Sequence, residues 1–177
     1  VWSGAGANEP RDFLARDQYV RSEAQDQVLG ALSGLLAERQ VPLRFTELYS
    51  CFPCVPKMAR RSLGLPDSAV PTVTGGLSFF CGPLSSYMTH AAVAMVRALR
   101  GAPGATGLIY GQGEFVTKHQ ALLLASRPAE AMPLAPVPAL QSEVDARRGP
   151  VPALALDYSG EATLETYPVL YHREGHP

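Results

Sequence analysis

A layered α/β fold is predicted by three features of this 177-residue chain. Apolar stretches with helical spacing alternate with short β-branched runs, and two of those runs, before and after residues 111–114, are joined by a glycine-rich loop. Glycine or proline punctuates the joins. Strands that alternate with helices and end in an antiparallel pair bury their apolar faces when the helices pack over a sheet.

Taken in order, Val1 to Gly6 reads as the middle of a strand entering a glycine turn, and Asn8-Glu9-Pro10 as a turn. Arg21 to Arg39 carries Ala24, Val28, Leu29, Leu32, Leu35 and Leu36 at helical intervals, with Ser22 as N-cap. Leu43 to Leu48 suits a strand. Val55 to Leu63 suits a helix stopped by Gly64 and Pro66. Thr72 to Phe80 reads as a strand that turns at Gly82-Pro83 into a buried helix, Ser85 to Leu99. Gly101 to Gly104 breaks that helix. Thr106 to Tyr110 and Phe115 to Ala125 then read as a hairpin around Gly111-Gln112-Gly113-Glu114.

Beyond Ser126 the composition shifts. Residues 127–150 hold repeated prolines and alanines without apolar period, which predicts a semi-rigid linker or a loop lying over the surface. Val151 to Asp157 and Ala162 to Tyr171 read as two strands joined by Tyr158 to Glu161, the start of an incomplete β module over 151–177. Three segments follow: 1–126 as the main domain, 127–150 as linker and 151–177 as appendage.

A hydrophobic fraction of 46% and a net charge of −1 describe a globular protein, not a disordered chain or a polyanion binder. No like-charge run suggests nucleic acid, no apolar stretch reaches the roughly 20 residues of a membrane span, and no leader pattern opens the chain. A cytoplasmic location is the default expectation. Three cysteines argue against a disulfide framework. The opening Val1 and the closing Glu174 to Pro177 read as cut ends, so an internal fragment of a longer protein is expected.

Three loops carry a family resemblance. Gly75-Gly76 followed by Gly82-Pro83-Leu84 resembles the Gly-Gly…Gly-His-Pro-Leu loop of thiolases, especially the sterol-carrier-protein type. Glu47 to Phe52 resembles the Asn-Glu-Ala-Phe loop, written His-Asp-Cys-Phe in that type, with Cys51 and Phe52 matching. Tyr110 to Glu114 falls where the family has its Cys-x-Gly segment.

The resemblance implies the C-terminal half of the thiolase fold, a layered α-β-α arrangement with a mixed sheet. The β appendage resembles the small OB-like extension of some bacterial thiolase-like proteins. It further implies a coenzyme A thioester as substrate, no tightly bound cofactor, no metal, and a homo-oligomer or a complex with the missing N-terminal half. Its catalytic-loop positions are Tyr49, Ser50, Gly82 and Tyr110. Gly82 stands where the family has an oxyanion-hole histidine, Tyr49 where it has the residue orienting a catalytic water, and Tyr110 nearest its acid/base cysteine. Gly75, Gly76, Pro83, Gly111, Gly113 and His119 fall at substrate-binding positions, with glycine amides able to donate to a thioester oxygen.

Each of these residues also has a plainer reading. A tyrosine with a pKa near 10 is a poor general base at neutral pH. Cys81 is either a displaced nucleophile or, with more weight, a small buried apolar residue. Cys51-Pro53-Cys54 lacks the second pair that a metal site needs. Lys118 and His119 either meet coenzyme A phosphates or are ordinary strand polar groups, and His90 reads as a core histidine. Two functions are therefore carried forward. One is an acyl-CoA acyltransferase running a Claisen condensation or thiolysis of 3-ketoacyl-CoA; the other is a thiolase-like protein that binds acyl-CoA or a partner without turnover.

Overall fold

Four strands make one mixed sheet in the order β1-β4-β3-β2: β1 is Ser3–Asn8, β2 Leu43–Leu48, β3 Thr106–Gly113 and β4 Lys118–Ala125. The structure, a computed structural model, describes residues 1–127, 140–164, 167, 169 and 171–176. β2 runs parallel to β3, while β4 is antiparallel to both β1 and β3. The helices are α1 Glu23–Glu38, α2 Cys54–Ser62, the single turn α3 Leu77–Phe80, α4 Tyr87–Arg100 and α5 Leu140–Arg147.

One face of the sheet is covered by α1, flanked by α2 and α5. Ser22 caps α1 as its side chain accepts from the Gln25 amide at 3.1 Å, worth about 1 kcal/mol. Val28, Leu29, Leu32 and Leu36 then fall on one side of that helix and are buried on Ala5, Ala7, Leu108, Ala121 and Leu123 of the sheet. Alanines at the sheet surface let the helix approach closely. The opposite face carries α4, whose Met95 and Leu99 pack on Ile109 and Leu124. Gly107 lies directly beneath Met95, where any side chain would collide with the thioether.

Most elements begin and end within a few residues of their sequence-based bounds, but four expectations fail. Thr72 to Phe80 is not a strand: residues 72–76 form an open loop and Leu77–Phe80 a helical turn, because the loop's amides find partners elsewhere than in the sheet. β3 continues through Gly113, so the turn falls at residues 114–117 and Gly111 and Gly113 are ladder residues registered against Gln120 and Lys118. The segment 127–150 holds α5, whose Leu140 and Val144 are buried against α1 and β1; its residues 128–139 lie outside the described residues. No strand occurs among the described residues of 151–177, where the apolar side chains stand exposed; residues 165, 166, 168, 170 and 177 of the expected β module lie outside the description.

Among the described residues no helix is long and apolar enough to cross a membrane.

Candidate functional site

The loops singled out by sequence meet at the C-terminal ends of β2 and β3, and a buried carboxylate holds them there. Glu47, the penultimate residue of β2, is fully buried. Its Oε2 accepts from Thr72 Oγ1 at 2.7 Å, the Val73 amide at 2.9 Å and the Thr74 amide at 3.1 Å. Its Oε1 accepts from Tyr87 OH at 2.7 Å and Thr74 Oγ1 at 3.1 Å. Thr72 Oγ1 in turn accepts from the amides of Thr74, Gly75 and Gly76 at 3.0 to 3.2 Å. Charge-assisted bonds of this kind are about twice as strong as neutral ones. The loop 72–76 is thus built around one side chain rather than around a neighbouring strand.

That loop is pressed against the end of β2. Ser50 Oγ accepts from the Leu77 amide at 3.1 Å, and Gly76, at φ 76°, leaves room for it: a β-carbon there would sit 2.9 Å from Ser50 Oγ. Only glycine meets both demands at this position. The Tyr49 ring lies 5.2 Å from that of Tyr87, whose edge contacts Phe80 at 6.3 Å. Burial pushes the Tyr87 hydroxyl up to about 12, despite the opposing bond to Thr74, and the Glu47 carboxylate adds to the rise. Burial also raises the Tyr49 hydroxyl, with Cys51 contributing. Both tyrosines keep their protons at neutral pH.

Cys51 is part-buried and receives a hydrogen bond from Gln112 Nε2; burial outweighs that bond and pushes its thiol up. Cys81, expected to be buried, is exposed. His90, expected in the core, is exposed as well and touches only the Phe80 ring among the aromatic contacts, at 5.8 Å. Gly82 is exposed with nothing within 4 Å of where a β-carbon would stand, so the backbone does not demand glycine there. Pro83 is partly buried and turns the chain into α4. Around it Phe79 and Leu84, 83% and 88% exposed, present apolar side chains to solvent.

Tyr110 and His119 are turned away from this site, which corrects their assignment to it. Residues alternate across a strand, so Tyr110 faces α1 while Gly111 faces Met88 of α4. Tyr110 OH accepts from Gln25 Nε2 at 2.8 Å and donates to His119 Nδ1 at 2.7 Å; both residues are fully buried. His119 Nε2 then lies 3.1 Å from Ser22 Oγ and 3.2 Å from the Val116 carbonyl, and Ser22 Oγ donates to Glu9 Oε1 at 2.6 Å. This proton assignment follows from the network and leaves His119 neutral. Burial raises the Tyr110 hydroxyl far above its ordinary value, outweighing the bond from Gln25, so it cannot act as a base. Lys118 pairs at the surface with Glu114 at 3.0 Å.

Tyr110→Phe therefore removes a structural hydroxyl and no site group. It should lower stability by about 1–3 kcal/mol, since Gln25 Nε2 and His119 Nδ1 lose a buried partner. Ligand binding at folded-protein temperatures should be unchanged. A denaturant titration paired with a binding isotherm checks both, and unchanged stability with lost binding would return Tyr110 to the site.

Sequence reasoning passed over Glu47, Thr72, Thr74 and Tyr87 as functional residues. The available signal was a carboxylate between Thr46 and Leu48 near the end of a strand, since a charge that the sheet buries must be paired.

A mixed sheet with helices on both faces and these loops at its strand ends defines a thiolase-like fold. The chain is similar to a crystal structure of a monomeric SCP2-thiolase-like protein type 1 from Mycobacterium smegmatis, with a TM-score of 0.70 and 27% identity. The match covers 83% of this chain and 33% of that one, so the chain spans about a third of the length of that protein. No protein-family profile and no curated protein matches the sequence.

Proposed function

We propose that the loops at the ends of β2 and β3 bind an acyl-CoA thioester, and that this chain contributes the binding surface of a thiolase-like protein rather than its proton-transfer groups. The observation that carries this reading is the contrast within one site. Glu47 and Thr72 hold the Gly75-Gly76 loop rigidly in shape, while Gly82 supplies no side chain and Tyr110 points into the core. Tyr49, Cys51 and Tyr87, ionisable side chains beside the loop, have their protons held by burial. The exposed Phe79 and Leu84 support an apolar acyl portion. Such a protein needs no resident cofactor and meets coenzyme A as part of its ligand.

The competing acyltransferase reading is decided by incubating the complete protein with acetyl-CoA. Saturable binding without an acetylated cysteine by mass spectrometry, and without thiolysis of acetoacetyl-CoA, is the expected result; turnover or a covalent adduct sinks the binding-only reading. Gly82→His should fold normally, within about 0.5 kcal/mol, because the position is open and its backbone suits any residue.

A further inference from the structure

The link between β1 and α1, residues 9–22, is held firmly by its polar groups yet turns its apolar side chains outward. Asp12 steadies a short 3-10 turn, Phe13–Ala15, by accepting from the Leu14 amide at 3.0 Å. Arg16 ties the link to the β3–β4 turn: Nη2 donates to the Phe115 and Val116 carbonyls at 3.0 and 2.9 Å. Tyr19 OH donates to the Phe13 carbonyl at 2.6 Å, and Asp17 Oδ2 accepts from the Gly149 amide at 2.7 Å. The Phe13 ring meets that of Phe115 at 5.6 Å, with the Arg16 guanidinium 5.5 Å from its centre. Even so, Phe13, Leu14, Tyr19, Val20 and Phe115 stand between 46% and 79% exposed. Apolar side chains gathered on a fixed backbone and rimmed by charge mark an interaction surface.

A groove of about 510 Å³ opens between this link and α2, and its charged lining is cationic throughout: Arg16, Arg21, Lys57 and Arg61, with no carboxylate. Tyr19 and Val20 belong to the same lining, so the apolar surface continues into the groove. Lys57 and Arg61 stand one helical turn apart on α2, both exposed. Among the described residues neither they nor Arg16 has a carboxylate within 4 Å, while Arg21 is engaged by Glu23 at 3.0 Å and Asp26 at 3.8 Å. The whole chain has a net charge of −1, so three uncompensated cations around one groove depart from its general balance. On its other side the link borders a second hollow, of about 590 Å³, against residues 150–155.

We propose that this surface docks a segment of a partner protein in which Asp or Glu side chains alternate with aromatic or aliphatic ones. The carboxylates enter the groove, where arginine suits paired carboxylate oxygens and lysine acts as a point charge. The apolar side chains lie over Phe13, Tyr19 and Val20, whose fixed backbone leaves little ordering cost to be met on binding. Concavity and charge favour a peptide over an anionic bilayer. Asp12 and Asp17 put negative charge on the same link, which a bilayer spread across it also meets, whereas a segment seated in the groove meets only cations. Docking here requires nothing of the thioester loops.

A randomised peptide library displayed on phage and selected on the complete protein reads this preference directly. Enriched peptides should carry Asp or Glu among aromatic or aliphatic residues. One of them, synthesised with a fluorescent label, should bind the parent in anisotropy titrations and weaken as salt is raised, a readout that needs no variant. Lys57→Glu combined with Arg61→Glu should lower its affinity about tenfold or more, and Val20→Asp on the apolar wall should lower it as well. All three side chains are exposed, and matching thermal melts confirm that both variants fold. No enrichment, enrichment without acidic residues, or an affinity that ignores salt or either variant overturns the proposal. Sedimentation with phosphatidylserine vesicles in the absence of peptide enrichment overturns it too, in favour of a bilayer.

Discussion

Replacing Glu47 by alanine should cost about 3 kcal/mol or more of stability and abolish ligand binding at the loop. The carboxylate is fully buried and satisfies the Val73 and Thr74 amides together with the hydroxyls of Thr72, Thr74 and Tyr87. Each buried donor left without a partner costs about 1–3 kcal/mol; the Val73 amide would be stranded and the Thr72 and Tyr87 hydroxyls would lose the carboxylate, while the Thr74 amide keeps Thr72 Oγ1. Relaxation of the loop recovers part of that loss by hydrating them, at the expense of the shape that Gly75 and Gly76 hold. Glu47→Gln is the sharper probe, because its volume is retained while one acceptor becomes a donor facing donors. Hydrogen exchange at Val73 and Thr74 should accelerate in both variants, and a urea midpoint gives the stability change. If Glu47→Ala melts with the parent and keeps those amides protected, the carboxylate is not what builds the loop.

Acid should destabilise the protein in two steps, the first well above the carboxylate range. Burial depresses His119 from its ordinary 6.5 to about 4, against the favourable influence of the Val116 carbonyl and the Glu9 carboxylate. The folded form thus binds its proton later than the unfolded form. The stability associated with neutral His119 is complete above pH 6.5 and is lost as pH falls from there to about 4, where it saturates, a change of roughly 3 kcal/mol. For Glu9, burial pushes upward, but the bonds from Ser22 and the Ala24 amide and the charge of Arg148, 3.3 Å away, outweigh it and leave the carboxyl below its ordinary 4.5. That contribution is present above pH 4.5 and disappears only below it. The charged groups acting on the ring, Glu9 and Arg16, oppose each other, so burial decides the first step. Urea unfolding between pH 7.5 and 4 should show the midpoint falling, and His119→Gln should flatten that slope. A parent profile flat from pH 7 to 5 would refute the buried neutral histidine.

The elements that were legible in sequence are those whose evidence is local. α1 declares itself through an N-cap and four apolar residues on one side, and β2 and β3 through short β-branched and apolar runs. Thr72 to Phe80 has the same β-branched look, yet its amides are claimed by a carboxylate 25 or more residues earlier in the chain, which no local pattern reveals. α5 shows only Leu140 and Val144, an i,i+4 pair too sparse to signal a helix without knowing that α1 waits to receive it. The candidate site was legible in its glycines, since Gly75 and Gly76 have backbone demands of their own. Its assignment went astray at Tyr110 and His119 because strand alternation fixes which residues share a face but not which face lies under α1.

The contact of Gly107 with Met95 seats α4 on the sheet, and α4 carries one wall of the site. α4 begins at Tyr87, whose hydroxyl is tied to Glu47, and its middle rests on the bare backbone of β3 at Gly107. A methyl group added at Gly107 would meet the Met95 sulfur and terminal methyl, so the thioether has to turn aside beneath the same helix whose first residue, Tyr87, holds Glu47.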